Sequence, residues 1–267
     1  MKPLNFRGRT VLVTGASSGL GREMARYLAR QHGANLVLVA RRKERLGELK
    51  KELETDTQVT VEPLVADLSR LEEVDRVAHE LADRHQVYAA ILNAGITHFG
   101  SHDKLEWSAF RQMLELNVTG VVRMTTQLLP MLETQSGGLM LVSSLAGIVT
   151  VPYQTAYSAT KGFLVHYGWG LAHELAGRNV SMTTYAPGGV DTEMSDGEHF
   201  APLRAWLMPA DRAALEGVEA FRKRKALHIP GVTYRWGTAL TQLLPRGLTT
   251  RIVAAQYRRA LEKTGGL

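Results

Sequence analysis

The chain has 267 residues, of which 45% are hydrophobic and 22% charged, the composition of an ordinary soluble globular protein. It contains no cysteine, which excludes disulfide bonds, thiolate metal sites and thiol-based catalysis and makes a reducing cytoplasm the expected location. It has no apolar run of about eighteen residues and no apolar core near Met1, so neither a membrane span nor a signal peptide is expected.

Charge is unevenly distributed, although the whole chain carries only +6. From Phe221 onward there are ten basic residues and one acidic residue, Glu262, a net charge of +9, which leaves −3 for residues 1–220. Such a basic segment can face an anionic partner, a membrane surface or only solvent, and solvent is the commonest case. We therefore expect at most weak contact with anionic surfaces and no specific nucleic-acid binding.

Strand and helix patterns alternate from the N-terminus, which is typical of a parallel sheet with helices on both faces. In the first half, strands are predicted at 11–14, 36–40, 59–65 and 87–92, and helices at 19–31, 43–54 and 69–84. Ser69 is expected to cap the third helix, with Glu72 completing a capping box.

The second half continues this alternation and then departs from it. Strands are predicted at 139–142 and 180–185, and helices at 107–132 and 153–176. After Asp191 the apolar residues are irregular. Asp211 is expected to cap a helix to about residue 226, residues 228–231 are extended, and a basic helix covers 248–263. No linker marks a domain boundary, so residues 1–267 are predicted to form one α/β domain.

A glycine-rich segment joins the first predicted strand to the first predicted helix. Glycines at such a turn let backbone N–H groups and the helix N-terminus approach a pyrophosphate. A glycine-rich turn can also be purely structural, and its place between a strand and a helix is what favours a dinucleotide site. The predicted binding residues are Gly15, Ser17, Ser18, Gly19, Leu20 and Gly21.

Tyr157 and Lys161 are four residues apart in a predicted helix, so their side chains share a face. A nearby ammonium favours the phenolate and lowers the tyrosine pKa, which makes the pair a candidate general acid–base unit. An ordinary helix with a packed tyrosine and a solvated lysine is the simpler explanation of the pair alone. Ser144, after the strand 139–142, offers a hydroxyl for the same substrate oxygen; Ser143 is the alternative, and only spacing favours Ser144.

Several motifs agree in order and spacing: Thr-Gly-x-x-x-Gly-x-Gly from Thr14, Asn93-Ala94-Gly95, Asn117, Ser144, Tyr157 with Lys161, and Pro187-Gly188. In this set the chain resembles the short-chain dehydrogenase/reductase family over about residues 5–195. The resemblance implies a doubly wound Rossmann fold and reversible hydride transfer between a nicotinamide cofactor and a carbonyl or secondary alcohol.

The resemblance also implies a role for each catalytic residue. Tyr157 is expected to be the general acid or base, and Lys161 to lower its pKa and bind the nicotinamide ribose. Ser144 is expected to bind the substrate oxygen, and Asn117 to complete a proton relay. A non-catalytic NADP(H)-binding sensor or scaffold is the alternative function, and the complete Ser–Tyr–Lys–Asn set argues against it.

The end of the second predicted strand distinguishes NAD from NADP. An acidic residue there binds the ribose 2′-hydroxyl of NAD, whereas an arginine accommodates the 2′-phosphate of NADP. Here Ala40 is followed by Arg41 and Arg42, which favours NADP(H); a basic surface turn is the alternative. By resemblance, the other cofactor contacts are Asp67, Leu68, Asn93, Ala94, Gly95, Tyr157, Lys161, Pro187, Gly188, Val190 and Thr192.

Substrate contacts are predicted less directly. The resemblance places a substrate lid at about residues 191–228, which contains Met194 and Trp206. Together with Leu145 and His98 these are candidate substrate contacts, and they suggest an apolar carbonyl or alcohol, although core packing explains them equally. The nine histidines show no metal-ligand spacing, so no metal site is expected.

Residues 229–267 depart from the family pattern. Pro230 and Pro245 remove backbone donors where the family has a seventh strand, which puts that strand and the oligomer contacts built on it in doubt. The helices 107–132 and 153–176 are expected to pair across a two-fold axis into a homodimer. Leu248, Ile252 and Ala255 should pack the final helix onto the same subunit or its partner, with the arginines outward.

Overall fold

The structure is a computed structural model that describes residues 1–196 and 207–263. At its centre is a parallel sheet of seven strands in the order β3-β2-β1-β4-β5-β6-β9. Its strands are β1 (Thr10–Thr14), β2 (Asn35–Ala40), β3 (Val61–Val65), β4 (Val87–Leu92), β5 (Gly138–Val142), β6 (Ser181–Tyr185) and β9 (Leu227–His228). A separate parallel pair joins β7 (Val190–Asp191) to β8 (Met208–Pro209).

The central strands β4 and β5 carry almost only apolar residues because helices cover both faces of the sheet. All residues of β4 and β5 are buried. Pro63 is tolerated within β3 because that strand lies at the edge of the sheet. The strand order reverses between β1 and β4, so a crevice opens at the carboxyl ends of these two strands.

Nine α-helices are found in the described ranges: α1 (Gly19–His32), α2 (Lys43–Asp56), α3 (Leu71–Arg84), α4 (Trp107–Leu114), α5 (Gly120–Thr134), α6 (Thr155–Glu174), α7 (Ala210–Arg222), α8 (Val232–Leu243) and α9 (Arg246–Lys263). One core layer, which includes Leu28 and Phe221, covers one face of the sheet with α1, α2 and α7. The other, which includes Val74 and Leu164, covers the opposite face with α3, α5 and α6. The predicted doubly wound fold is therefore confirmed.

Two predicted helix caps are wrong. Helix α3 begins after Arg70, and the hydroxyl of Ser69 instead donates to Asp67 at 2.7 Å, while Glu72 pairs with Arg70. Helix α7 follows Pro209, so Asp211 lies inside its first turn. The hydroxyl of Ser69 is therefore bonded to Asp67, and the carboxylate of Asp211 accepts from the N–H of Arg212 inside the helix.

The seventh strand is present, although it is only two residues long. Leu227 pairs with Thr184 of β6, and the backbone N–H groups of Thr184 and Ala186 donate to the carbonyls of Ala226 (2.8 Å) and His228 (2.9 Å). Pro230 follows the strand and costs it no hydrogen bond. The doubt about this strand is therefore corrected: the proline shortens the strand without removing it.

The C-terminal segment forms two helices, of which α8 was not predicted. On α9, Leu248 and Ile252 are 48% and 50% exposed and Ala255 is also exposed, so this stripe does not pack on its own subunit as expected. The buried side of α9 carries Thr249 and Leu261 instead. Within the described ranges, no helix combines the length and apolar content that crossing a bilayer requires.

Candidate active site

A cavity of about 1110 Å³ lies at the carboxyl ends of the strands. The glycine turn after β1 borders it, with Arg41 and Arg42 after β2 on one side and Ser144 after β5 on the other. The strand order places these segments along one edge of the sheet, so the cavity extends across the crevice where the order reverses. It is long enough to join the glycine turn to Tyr157 and Lys161.

The glycine turn is shaped by contacts that exclude side chains. Gly15 and Gly19 have φ angles of +68° and +50°, and a Cβ on Gly15 would lie 2.8 Å from Nδ2 of Asn93. A Cβ on Gly21 would lie 2.4 Å from the carbonyl oxygen of Gly15. Glycine at these positions therefore lets the turn pack tightly against the start of α1 and against Asn93, the close packing that a dinucleotide-binding turn needs.

Thr14 and Asn93 connect the turn to β4. The Thr14 hydroxyl accepts hydrogen bonds from the backbone N–H groups of Asn93 and Ala94, both at 3.0 Å. In return, Nδ2 of Asn93 donates to the Thr14 carbonyl at 3.0 Å. These bonds fix the two crevice strands relative to each other, so Ala94 and Gly95 are held against the cavity.

Arg42 reaches back over the glycine turn. Its Nε donates to the Ser17 hydroxyl at 3.1 Å, and a terminal nitrogen donates to the Ser18 hydroxyl. Another terminal nitrogen pairs with Glu193 at 2.8 Å, and Glu193 also pairs with Arg45. These two arginines hold the pKa of Glu193 below its usual value. Arg41 borders the cavity and is exposed.

The hydroxyl groups of Ser143 and Ser144 point to different partners. Ser143 is buried and donates to the backbone carbonyl of Lys161 at 2.7 Å. The Ser144 hydroxyl accepts a hydrogen bond from the N–H of Ala146 at 3.2 Å and lies 3.5 Å from the Pro187 carbonyl, and it is close enough to the Tyr157 phenol to lower the pKa of that group. Both serines border the cavity, but only Ser144 has its hydroxyl at the tyrosine.

Burial dominates the electrostatics of the Tyr157–Lys161 pair. It raises the pKa of Tyr157 to about 12, and the nearby Ser144 hydroxyl opposes this only in part. Burial also lowers the pKa of Lys161 to about 8. The ammonium nitrogen lies 5.8 Å from the centroid of the tyrosine ring and donates to the Val142 carbonyl at 2.9 Å. The expected lowering of the tyrosine pKa by lysine is thus absent from the protein alone.

Asn117 lies in a π-helical turn, Glu115–Thr119, between α4 and α5, which the sequence predicted as part of one continuous helix. Its side chain is fully buried and clamps the backbone of Ile96, accepting from its N–H and donating to its carbonyl, both at 2.9 Å. It also donates to Thr160 at 3.1 Å. A π-helical turn widens the helix locally, and such turns occur frequently at functional sites.

Most predicted site residues border the cavity. They are Gly15, Ser17, Ser18, Gly19, Leu20, Arg41, Arg42, Asp67, Leu68, Asn93, Ala94, Gly95, Ser144, Leu145, Tyr157, Lys161, Pro187, Gly188, Val190, Thr192 and Met194. Gly21 and Asn117 support it from behind. His98 is not among the residues that border it, and Trp206 lies outside the described residues.

The segment expected to form the lid, residues 191–228, has two parts. Met194 and Leu207 border the cavity, whereas α7 is a core helix that packs against α1. Among residues 1–196 and 207–263, no three His, Asp or Glu side chains gather in a way that would hold a metal ion.

Sequence reasoning missed the wall that α8 and α9 add to the cavity. Tyr234 of α8 packs so closely on Gly188 that a Cβ there would lie 2.7 Å from its ring. Tyr257 of α9 contacts Phe99 with ring centroids 5.5 Å apart, and its phenol is close enough to Tyr157 to raise the tyrosine pKa slightly. These contacts join residues distant in sequence, so no local pattern could have indicated them.

Comparison with known proteins agrees with this geometry. A sequence model of the short chain dehydrogenase family matches residues 9–200. An uncharacterised oxidoreductase from Myxococcus xanthus is 32% identical over 253 residues, covering 94% of this chain and 97% of that protein.

Two solved structures resemble most of the chain. A short-chain dehydrogenase from Sphingobium yanoikuyae in complex with NADPH has a TM-score of 0.77 at 29% identity, covering 88% of this chain and 93% of that one. A short-chain dehydrogenase/reductase from Burkholderia phymatum in complex with NAD has a TM-score of 0.80 at 23% identity, covering 90% and 95%, and shows the shared fold. With a family match over most of its length and a cavity bordered by the family's motifs, this chain belongs to the short-chain dehydrogenase/reductase family and is an oxidoreductase that binds NAD or NADP.

Proposed function

We propose that the protein is an NADP(H)-dependent oxidoreductase that interconverts an apolar carbonyl compound and its secondary alcohol. The observation that carries this proposal is the meeting of the Ser144 hydroxyl, the Tyr157 phenol and the Lys161 ammonium in the cavity that also borders the glycine turn. A protein that only sensed a nucleotide would have no use for a half-buried hydroxyl pair beside a buried lysine.

The described residues fit a dinucleotide. A Cβ on Gly95 would lie 3.1 Å from Oδ1 of Asn117 and 3.3 Å from Nζ of Lys161, so the glycine leaves room beside the lysine. Gly15 to Leu20 would hold the pyrophosphate, and Lys161 the nicotinamide ribose. When bound, the nicotinamide supplies the hydride for reduction and accepts it in oxidation.

The choice of NADP(H) rests on charge beside Ser17 and Ser18. Arg42 presents two nitrogens there and Arg41 stands next to it, while Ala40 provides no carboxylate to accept a ribose hydroxyl. A guanidinium binds a phosphate through paired, charge-assisted hydrogen bonds. The NADPH complex of the Sphingobium enzyme supports the same choice.

Tyr157 is suited to donate a proton to a carbonyl oxygen. With a pKa of about 12 the phenol is protonated at neutral pH, and Ser144 stands beside it to bind the same oxygen. Negative charge that develops on the oxygen during reduction is stabilised by these two hydroxyl groups. Lys161, charged below a pKa of about 8, stabilises the phenolate left after the transfer. Asn117 holds the backbone beside Thr160 and Ile96, where we place the start of a proton relay.

The substrate end of the cavity is apolar and aromatic. Leu145, Val149, Met194, Leu207 and Tyr257 border it. A pocket of this kind binds an apolar body, and a few polar groups set its orientation. An apolar ketone or secondary alcohol fits that lining. The lack of cysteine is in keeping with our placement of the enzyme in the cytoplasm.

Replacement of Tyr157 by Phe tests the assignment. Tyr157→Phe should lower kcat/KM for reduction of an apolar ketone by more than about a hundredfold, because general acid catalysis contributes about 10²–10⁴. The NADPH dissociation constant should change little. Tyr167→Phe removes a half-buried hydroxyl from the same helix and serves as the control. Activity of Tyr157→Phe within tenfold of the wild type would remove Tyr157 as the acid, and tight NADPH binding without turnover by the wild type would favour a sensor.

We further propose a homodimer through α4, α5 and α6. Trp107 of α4 and Phe163 and Trp169 of α6 are 70%, 42% and 46% exposed, which leaves apolar surface on these helices. A two-fold contact between identical faces is the commonest way to cover such surface. Light scattering at micromolar concentration should give a dimer mass that Phe163→Glu reduces. A monomer mass for the wild type would refute this interface.

A further inference from the structure

The outer surface of the C-terminal helices is apolar. Along α8, Val232, Trp236 and Leu240 recur at a spacing of four residues and are 56%, 75% and 60% exposed. Large apolar patches on a protein surface mark interaction sites. We define the outer tail face as the exposed apolar residues of this region: Val232, Trp236, Leu240, Leu243, Leu244, Leu248 and Ile252.

The outer tail face cannot turn toward the protein, because the inner faces of α8 and α9 already form part of the cavity wall. Thr238 of α8 is buried and borders the cavity, and Tyr234 packs on Gly188. On α9, Val253 and Tyr257 border the same cavity. Each helix therefore has one face in the active-site wall and an opposite apolar face in solvent.

Arginines surround the outer tail face. Arg246 and Arg251 are exposed on α9, and no acidic residue occurs in the sequence between Glu219 and Glu262. The combination of exposed tryptophan and leucine with flanking arginines is the composition of helices that lie at a lipid–water interface.

The positive charge around the outer tail face determines which partner can bind it. A second copy docked through the same face would place two basic surfaces against each other, since a two-fold contact pairs identical patches. That arrangement brings like charges together. An anionic bilayer instead offers phosphate groups to the arginines and an acyl boundary to the apolar residues.

We propose that the outer tail face docks the protein on the surface of an anionic lipid bilayer. The α8–α9 pair would lie in the interface, with Trp236 and Leu243 entering the acyl boundary and Arg246 and Arg251 meeting the headgroups. The active-site cavity lies directly behind these helices. A lipophilic substrate taken from the bilayer would therefore enter close to Tyr157, a consequence that rests on the proposed reductase activity.

Sedimentation with vesicles tests the docking. The whole chain is mixed with vesicles of phosphatidylcholine containing about 30% phosphatidylglycerol, or of phosphatidylcholine alone. The wild type should pellet with the anionic vesicles at least about fivefold more than Trp236→Ser/Leu243→Ser or Arg246→Glu/Arg251→Glu, and less at high salt. Trp107→Ser, which removes an equally exposed tryptophan from α4, should bind within twofold of the wild type.

Two further measurements separate the outcomes. Circular dichroism and NADPH binding should be unchanged in the variants, which shows that a loss of sedimentation comes from the altered surface and not from unfolding. If the enzyme proves inactive toward ketones, the vesicle result still holds, because it does not depend on catalysis. The docking is overturned if the wild type stays in solution with anionic vesicles or if Trp107→Ser is as defective as the double variant. It is also overturned if Trp236→Ser/Leu243→Ser halves the solution mass while vesicle binding persists, because a second copy would then cover the face.

Discussion

Replacement of Arg42 by Ala should separate the affinities for NADPH and NADH. In the protein alone, the Arg42 guanidinium is shared between the hydroxyls of Ser17 and Ser18 and the carboxylate of Glu193. A phosphate bound at this place gains a charge-assisted hydrogen bond that Arg42→Ala removes, at a cost of about 1.5–3 kcal/mol. That loss corresponds to a roughly 10- to 150-fold rise in the NADPH dissociation constant. NADH has no phosphate there, so its affinity should hardly change.

Replacement of Glu193, which pairs with the same guanidinium, should change the NADPH affinity in the opposite direction. The side chains of Arg42 and Glu193 are 41% and 43% exposed, so solvent screens their ion pair, which is worth at most about 1 kcal/mol. A phosphate has to displace this carboxylate. Glu193→Gln should therefore strengthen NADPH binding by up to about fivefold and leave NADH unaffected.

Calorimetric titration of both cofactors at fixed salt measures these effects. Arg41→Ala should also reduce the preference for NADPH, because Arg41 stands at the same end of the cavity. Arg178→Ala removes an exposed arginine that pairs with Glu133 and does not border the cavity, and it should leave both affinities unchanged. Equal losses of NADPH and NADH affinity in Arg42→Ala, or weaker NADPH binding in Glu193→Gln, would refute the reasoning.

Two more predictions concern stability and pH. Gly21→Ala places a Cβ 2.4 Å from the Gly15 carbonyl oxygen, so overpacking should cost about 1–3 kcal/mol and lower Tm by roughly 3–10 °C. Gly47→Ala, with no atom within 4 Å of the new Cβ in α2, should raise Tm slightly, and equal shifts in calorimetry would contradict the clash. Reductive kcat/KM should fall above about pH 8, because Lys161 loses its charge as pH rises through its pKa of about 8. Alcohol oxidation should instead rise with pH, because it needs the Tyr157 phenolate as base and the phenolate fraction grows as pH approaches the pKa of about 12. A reductive profile that is flat from pH 6 to about 10 would exclude the Lys161 contribution.

The sequence by itself determined the alternation of strands and helices and the residues of the glycine turn. Both are local properties, since a buried parallel strand needs a continuous apolar run and a tight strand-to-helix turn needs glycine. The predicted bounds agree with the structure to within a few residues for β1, β2 and β4. The predicted caps at Ser69 and Asp211 are wrong because a four-residue pattern does not show the tertiary context. Ser69 bonds to Asp67 instead, and α7 already begins after Pro209.

Only the tertiary structure decided what depends on contacts between distant residues. It placed the Ser143 hydroxyl on the Lys161 carbonyl and the Ser144 hydroxyl near the Tyr157 phenol, a difference in surroundings that spacing, which favoured Ser144, could not show. It also set the tyrosine pKa, because burial outweighs a lysine whose ammonium is held by the Val142 carbonyl. Helices α8 and α9 became a wall of the cavity for the same reason: their inner faces are complementary to a surface built by residues more than a hundred positions away, such as Phe99 and Tyr153.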